Sequence, residues 1–289
     1  MATSFPLPPV FPQGQLTHVP IQGTQGRVAV EDSGPPDSAL PTLLFLHGLG
    51  DFRQTYRFLA PKFHSRGHRV LLADLRGCGE STTNFPSYTP VDVANDAVAV
   101  LDHFKVNQPA VIVSNSLSAS SSAYVAAKHP ERVAALIGTG PFLRDPPGSG
   151  WLGPVSHVLF ARPWGAAAWV SFWKTLTVKK PADFDDYTKA MNAATRSEGH
   201  LAAIGGMIRG PKKPCWDVAG DVKCPVLLVF GSKDPDFKDP AAEGEEHRRQ
   251  LKSAKVVKVE VLPGLGHYPA SEDPEAVFKL ATDFLEASL

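Results

Sequence analysis

The chain has 289 residues, 43% of them hydrophobic and 20% charged, enough to bury a full core in one large domain or in one domain carrying an insertion. Lysine plus arginine equals aspartate plus glutamate at 29 each, so no overall field draws the chain to nucleic acid or to an anionic membrane, and partners are expected among small molecules. No apolar run reaches the roughly 20 residues of a membrane span, the start MATSFPLPPVFPQGQ lacks the regions of an export signal, and Cys78, Cys215 and Cys224 show no CxxC spacing, which fits a reducing, cytoplasmic setting and supplies no metal site.

Residues 1–15, rich in proline, read as an extended arm that could order against the body or against a second copy of the chain in a homodimer. LTHVPIQ and RVAVEDS follow as two short strands around a GTQG turn. TLLFLHG (42–48) is a continuous apolar strand, YRFLAPKFHSRG a helical segment ending at Gly67, and RVLLADL (69–75) a second buried strand. In TPVDVANDAVAVLDHFKV the apolar residues at 93, 94, 97, 98, 101 and 104 fall on one helical face. AVIVSN, the helix SASSSAYVAAKHP and AALIGTG continue the alternation. Residues 145–215 break it. They open with RDPPGSGWLG, read mainly as helices, and with the segment just after them hold all five tryptophans, Trp151, Trp164, Trp169, Trp173 and Trp216. A structureless connection of that length is uncommon, so 145–215 is expected to be a helical cap. Trp151, Trp164, Trp169 and Trp173 then either roof an apolar cavity or fix the cap to the core. PVLLVFG (225–231), a helix near 240–253, KVVKVEVLP and a last helix from Asp273 complete the order. Strands separated by helices specify an α/β fold, a mostly parallel central sheet with helices on both faces, here built from 16–144 and 216–289.

The stretch VIVSNSLSASSSAY (111–124) gives this scaffold its chemistry. A strand, a sharp turn at Asn115-Ser116-Leu117 and a helix of small residues form the context of a nucleophile elbow, with Ser116 at the apex. The usual pattern G-x-S-x-G has glycine where this chain has Ser114 and Ser118, small residues that can fit the same space. A serine hydroxyl needs a base, and the base needs an acid to hold its tautomer. Asp234, in SKDPDF after PVLLVFG, and His267, in GLGHYP after KVVKVEVLP, stand beyond successive strand ends, where sites in parallel sheets collect. Taken singly, Asp234 reads as a turn residue and His267 as a surface loop residue; the order Ser116, Asp234, His267 reads as a triad. Asp236 and Asp145 are weaker rivals for the acid. LHGLGD (46–51) ends a core strand with glycines that let the backbone turn inward, and the amides of Leu49 and Leu117 are expected to form the oxyanion hole. His47 reads as a structural hydrogen-bonding residue beneath that turn.

LHGLGD, DLRGCGES (74–81), SNSLSA, GSKDPD and GLGHYP together resemble the α/β-hydrolase fold family with a lid, over nearly the whole chain from about residue 16. DLRGCGES resembles the family's D-x-R-G-x-G-x-S signature, which implies a mainly structural role for Asp74 and Arg76. Epoxide hydrolases and haloalkane dehalogenases use an aspartate nucleophile, and Ser116 argues against both. The N-S of SNSLSA is similar to the elbow of hydrolases that cleave carbon-carbon bonds in vinylogous diketones, and Ser118-Ala119 resembles that of butenolide receptor-hydrolases. The expected activity is hydrolysis of an ester or lactone of a small hydrophobic or aromatic compound, with no metal and no organic cofactor. Carbon-carbon bond cleavage by the same triad, and a weakly catalytic ligand-binding protein, are the alternatives.

Overall fold

Eight strands form one sheet in the order β1-β2-β4-β3-β5-β6-β7-β8 in the computed structural model, which describes residues 6–34, 39–146 and 152–289. β1 (Gln15–Pro20) and β2 (Arg27–Asp32) run antiparallel to each other, and β2 runs antiparallel to β4 (Val70–Ala73). The other pairs are parallel, from β4 and β3 (Leu43–Leu46) through β5 (Ala110–Asn115), β6 (Val133–Thr139) and β7 (Val226–Gly231) to β8 (Val257–Leu262).

The apolar runs of the central strands serve two cores at once, because successive side chains point to opposite faces. Leu44, Leu46 and Ile112 pack with Val93 and Ala97 of α2 (Pro90–His103) and Ala123 of α3 (Ser118–Lys128). Leu43, Phe45, Val111 and Val113 pack on the other face with Phe63 of α1 (Ala60–Ser65) and Val277 and Phe284 of α11 (Pro274–Ser288). Phe11, from the proline-rich start, joins that second core, and its amide donates to the Glu31 carboxylate at 2.6 Å. Where described, the arm therefore orders against the body of its own chain. α1 is shorter than the helical reading of YRFLAPKFHSRG. It begins at Ala60 with Pro61 in its first turn, and the residues before it form a separate 3-10 turn, Arg53–Tyr56; proline has no N–H to continue a helix through that point.

Among the described residues, five α-helices, α4 (Leu152–Leu159), α5 (Gly165–Leu176), α6 (Phe184–Arg196), α7 (His200–Arg209) and α8 (Lys213–Val218), lie between β6 and β7. Trp169, Trp173, Phe184, Tyr187 and Met191 pack there around Phe52 and Tyr268 from the sheet's loops. This layer sits on the loops that leave the strands: Trp169 Nε1 donates to Gly50 O at 3.3 Å, Tyr187 OH to Asp51 Oδ1 at 2.5 Å, and Arg57 forms a two-point bond with Asp183. After β7 come α9 (Pro240–Gln250) and the short α10 (Pro269–Glu272). Among the described residues no helix is long and apolar enough to cross a membrane.

Candidate active site

Strand order places the site. The chain passes from β3 outward to β4 and returns to lay β5 on the other side of β3, and the crevice at the carboxyl ends of such a reversal is where open α/β sheets bind ligands. Leu49 follows β3 there, and Ser116 follows β5.

Ser116 has φ +56, a left-handed backbone that costs a non-glycine residue about 1–3 kcal/mol and persists only where its surroundings fix it. Here its N–H donates to Thr139 O at 3.1 Å and its C=O accepts from the Phe142 amide at 3.1 Å. The approaching β3 loop leaves no room for a side chain. A Cβ on Gly48 would stand 2.7 Å from Asn115 Oδ1 and 3.1 Å from the Ser116 Cβ.

Ser118 does more than replace a glycine. Its hydroxyl accepts from the Asn115 amide at 3.1 Å and lies 2.8 Å from Leu46 O and 2.9 Å from Asn115 O, both of which accept. One O–H donates to one acceptor at a time, so the group bridges the ends of β3 and β5 when it donates to Leu46 O and closes on Asn115 alone when it donates to Asn115 O. The Ser114 hydroxyl makes only a long contact, 3.5 Å to Ile137 O. Asn115 is a positioning residue that the sequence reading passed over: its Nδ2 donates to Thr139 O at 2.8 Å and to His267 O at 3.2 Å, tying the elbow to the histidine loop. The signal available was a lone amide ending an apolar strand.

His267, 1% exposed, donates from Nδ1 to Asp234 Oδ2 at 2.7 Å. Asp234 Oδ1 accepts from the Asp236 amide at 3.0 Å, which fixes the carboxylate plane. Asp236 itself stands 3.7 Å from the same Nδ1. Burial pulls the imidazole's pKa down, but Asp234, by charge and hydrogen bond, with Asp236 and Glu272, outweighs it and leaves the pKa above the ordinary 6.5. Burial raises the Asp236 pKa, against the opposing pull of His267. Asp145 is engaged elsewhere, 3.1 Å from Lys212 Nζ.

Ser116, His267, Leu49 and Leu117 line one cavity of about 550 Å³. Leu117 stands at the N-terminus of α3, where helix amides lack internal acceptors, and neither its amide nor that of Leu49 has a hydrogen-bond partner among the described residues. His47 is fully committed below them. Nδ1 donates to Gly48 O at 2.7 Å and Nε2 accepts from the Leu75 amide at 2.9 Å, and burial lowers its pKa, which keeps it neutral. Asp74 accepts from Arg53 and from the Glu80 amide, and Arg76 clasps Asp96 at 2.7 and 2.6 Å.

The tryptophans divide. Trp169 lines the cavity. Trp173, not among the residues lining it, stacks with Phe184 and with Tyr187 at ring-centroid distances of 5.5 Å to each. Trp164 is 53% exposed, with Nε1 bonded to Val158 O, so of the two expectations for these tryptophans, roofing a cavity or packing the cap, Trp169 fits the first and Trp173 the second, while Trp164 is not among the residues that line this cavity. Trp151 lies outside the described residues. The remaining wall is mostly apolar, with Phe142, Phe160, Phe172 and Leu176 prominent. Ligand atoms of Asp234, Asp236 and His267 fall within 4.8 Å of one another, a grouping that their ion pairing explains without a metal.

The chain is similar to the putative 2-succinyl-6-hydroxy-2,4-cyclohexadiene-1-carboxylate synthase of Bacillus subtilis, 24% identical over 274 residues, which cover 90% of this chain and 94% of that protein. It is 26% identical over 265 residues to the pimeloyl-[acyl-carrier protein] methyl ester esterase of Neisseria meningitidis, covering 90% of this chain and 81% of the relative. Among solved structures, the thermophilic esterase of Thermogutta terrifontis superposes with a TM-score of 0.76 at 23% identity, over 94% of this chain and 98% of the esterase. Residues 43–280 match the model of the alpha/beta hydrolase family, and with that match over most of its length the chain belongs to this family.

Proposed function

We propose that the chain is a serine hydrolase that cleaves an ester or lactone of a small, uncharged hydrophobic or aromatic compound through Ser116, His267 and Asp234. The observation that carries this reading is the convergence of a strained Ser116 and an Asp234-held His267 on one apolar cavity. With Nδ1–H bound to Asp234, the lone pair of Nε2 is free to take the Ser116 proton as Oγ attacks the carbonyl carbon. The amides of Leu49 and Leu117 receive the negative oxygen. As the tetrahedral adduct collapses, the imidazolium returns the proton to the leaving alkoxide and an acyl-enzyme remains; a water that loses its proton to Nε2 then frees the acid. The helical layer over the strand ends acts as the cap that excludes bulk water.

The cavity's charges bear on the substrate. The synthase relative makes, by its name, a carboxylate, and a site that holds a carboxylate is favoured by a cation not already paired. Lys212, the lysine or arginine found on this wall among the described residues, is already paired with Asp145, and Asp236 adds a further carboxyl. An uncharged substrate fits that balance, and the methyl ester esterase relative supports ester chemistry. The test is labelling with a small fluorophosphonate followed by intact and peptide mass spectrometry. One adduct on the Ser116 peptide, absent from Ser116→Ala and His267→Ala, is the expected result; a folded wild-type protein that takes no label and hydrolyses no ester in an aryl and alkyl panel would overturn the reading.

A further inference from the structure

One buried carboxylate that the mechanism above leaves unused ties the histidine loop to the helical layer. Glu272, on α10 and 4% exposed, accepts four backbone N–H bonds. Oε2 takes those of Gly266 at 2.9 Å, Val178 at 3.0 Å and Lys179 at 2.7 Å, and Oε1 takes that of Tyr268 at 3.1 Å. The amide between them, His267 N–H, donates straight to Leu176 O at 2.8 Å. Three successive amides of the histidine loop are thus bonded to the end of α5 or to the side chain that also holds it. That helix carries Trp169, Phe172 and Leu176, part of the cavity wall.

From this geometry we infer that Glu272 is a positioning residue that registers the His267 base against the α5 wall of the substrate cavity. The inference rests on the serine hydrolase reading. Only a carboxylate suits the place. All four partners are donors, and an amide side chain of the same shape would turn its own NH₂ toward at least one of them, leaving a donor facing a donor. Bonds to an ionised acceptor are also the stronger kind. Loss of the clamp frees the imidazole to shift, and a displacement of about 1 Å can cost about 100-fold in rate. The groups that face His267 are Asp234 and Asp236 from the loop after β7 and Glu272 from α10, with the rings of Phe142, Phe237 and Tyr268 around them; the Tyr268 hydroxyl is buried and holds its proton. Removing the Glu272 charge takes away one influence that raises the imidazole's pKa.

The experiment compares Glu272→Gln and Glu272→Asp with a core variant, Leu101→Ala, chosen for a similar loss of melting temperature. Amide hydrogen exchange is followed on peptides covering 176–180 and 264–269, together with kcat and KM against pH on a p-nitrophenyl ester and the rate of fluorophosphonate labelling. Glu272→Gln is expected to lose protection in both peptides together, to lower kcat about 10- to 100-fold with a smaller change in KM, and to move the acid limb of kcat/KM to lower pH. Glu272→Asp, which keeps the charge on a shorter arm, loses protection and kcat without moving the limb, and stands in if the glutamine variant does not fold. Leu101→Ala keeps the limb and kcat. Wild-type kcat in Glu272→Gln, or protection lost in one peptide alone, overturns the inference. A wild-type protein that neither labels nor hydrolyses sinks the serine hydrolase reading instead, and the exchange data still decide whether Glu272 holds the two segments together.

Discussion

At residue 118 a hydroxyl occupies the space that a glycine hydrogen would leave open, and it is bonded on both sides of the elbow. Ser118→Gly therefore leaves the Asn115 amide and the Leu46 carbonyl without this partner in a buried place, a loss of about 1–3 kcal/mol, besides making the elbow backbone looser. Urea denaturation should register that destabilisation, and kcat/KM should fall; a large gain in activity would mean that the serine impairs the elbow. Asp236 allows a second test. Its carboxyl stands near His267 Nδ1 and, with Asp234, helps hold the imidazole pKa above 6.5. Since the base works only when neutral, activity rises as pH climbs through that raised pKa, and the acid limb lies above 6.5. Asp236→Asn removes a negative charge, lowers the imidazole pKa and moves the limb to lower pH; a pH–rate profile of kcat/KM on a non-ionising ester reads the shift, and a limb that stays or rises contradicts the assignment. Asp234→Asn can turn an NH₂ toward Nδ1 and favour the wrong tautomer, with a drop in kcat approaching about 10⁴-fold.

Helix α5 faces two ways, and its tryptophans can be told apart by their outcomes. Trp169 lies against the β3 loop, where a Cβ on Gly50, at φ +65, would come within 2.5 Å of its ring, and it also lines the cavity. Trp169→Phe keeps an aromatic wall but gives up the bond to Gly50 O, and should raise KM for bulky aryl esters more than for short alkyl ones. Trp164→Ala, just before α5 and on the outside, should leave KM unchanged; equal effects from both would show that the wall is placed differently. The elements themselves were legible in the chain because the central strands are buried on both faces and so read as unbroken apolar runs, while α2 shows its stripe and its Thr89 cap. The candidate triad was legible because strand ends are predictable places. What was not legible depends on backbone groups distant in sequence: Asn115 reaching His267 O, Ser118 reaching Leu46 O, and Glu272 gathering amides 93 or 94 positions away. Nor does spacing tell which face of a helical layer a tryptophan will meet, and so Trp164 and Trp169 looked alike.

Over the whole molecule, the helices between β6 and β7 have no core of their own that excludes the sheet's loops. Phe52 and Tyr268 sit inside their aromatic cluster, and Leu176 O, Asp183 and Tyr187 bond downward to His267, Arg57 and Asp51. Unfolding this layer alone would expose Phe52 and Tyr268 and strip the histidine loop of its partners, so its free energy of opening should lie close to that of the whole fold rather than near that of a loose flap. All five tryptophans lie between residues 151 and 216, which makes the near-ultraviolet circular dichroism of this protein chiefly a report on that segment, whereas far-ultraviolet dichroism averages over the sheet and every helix. The two signals should be lost in one thermal transition with a common midpoint, as a cooperative unit requires. A near-ultraviolet midpoint lower by more than about 5 °C, a gap of the size that one or two kcal/mol produces in a large domain, would show that the layer melts separately and that its bonds to the histidine loop hold less than the geometry implies. Blocking Ser116 with a fluorophosphonate adds a group held by both layers at once, so it should raise both midpoints together, and an increase in only one of them would place the adduct against a single layer.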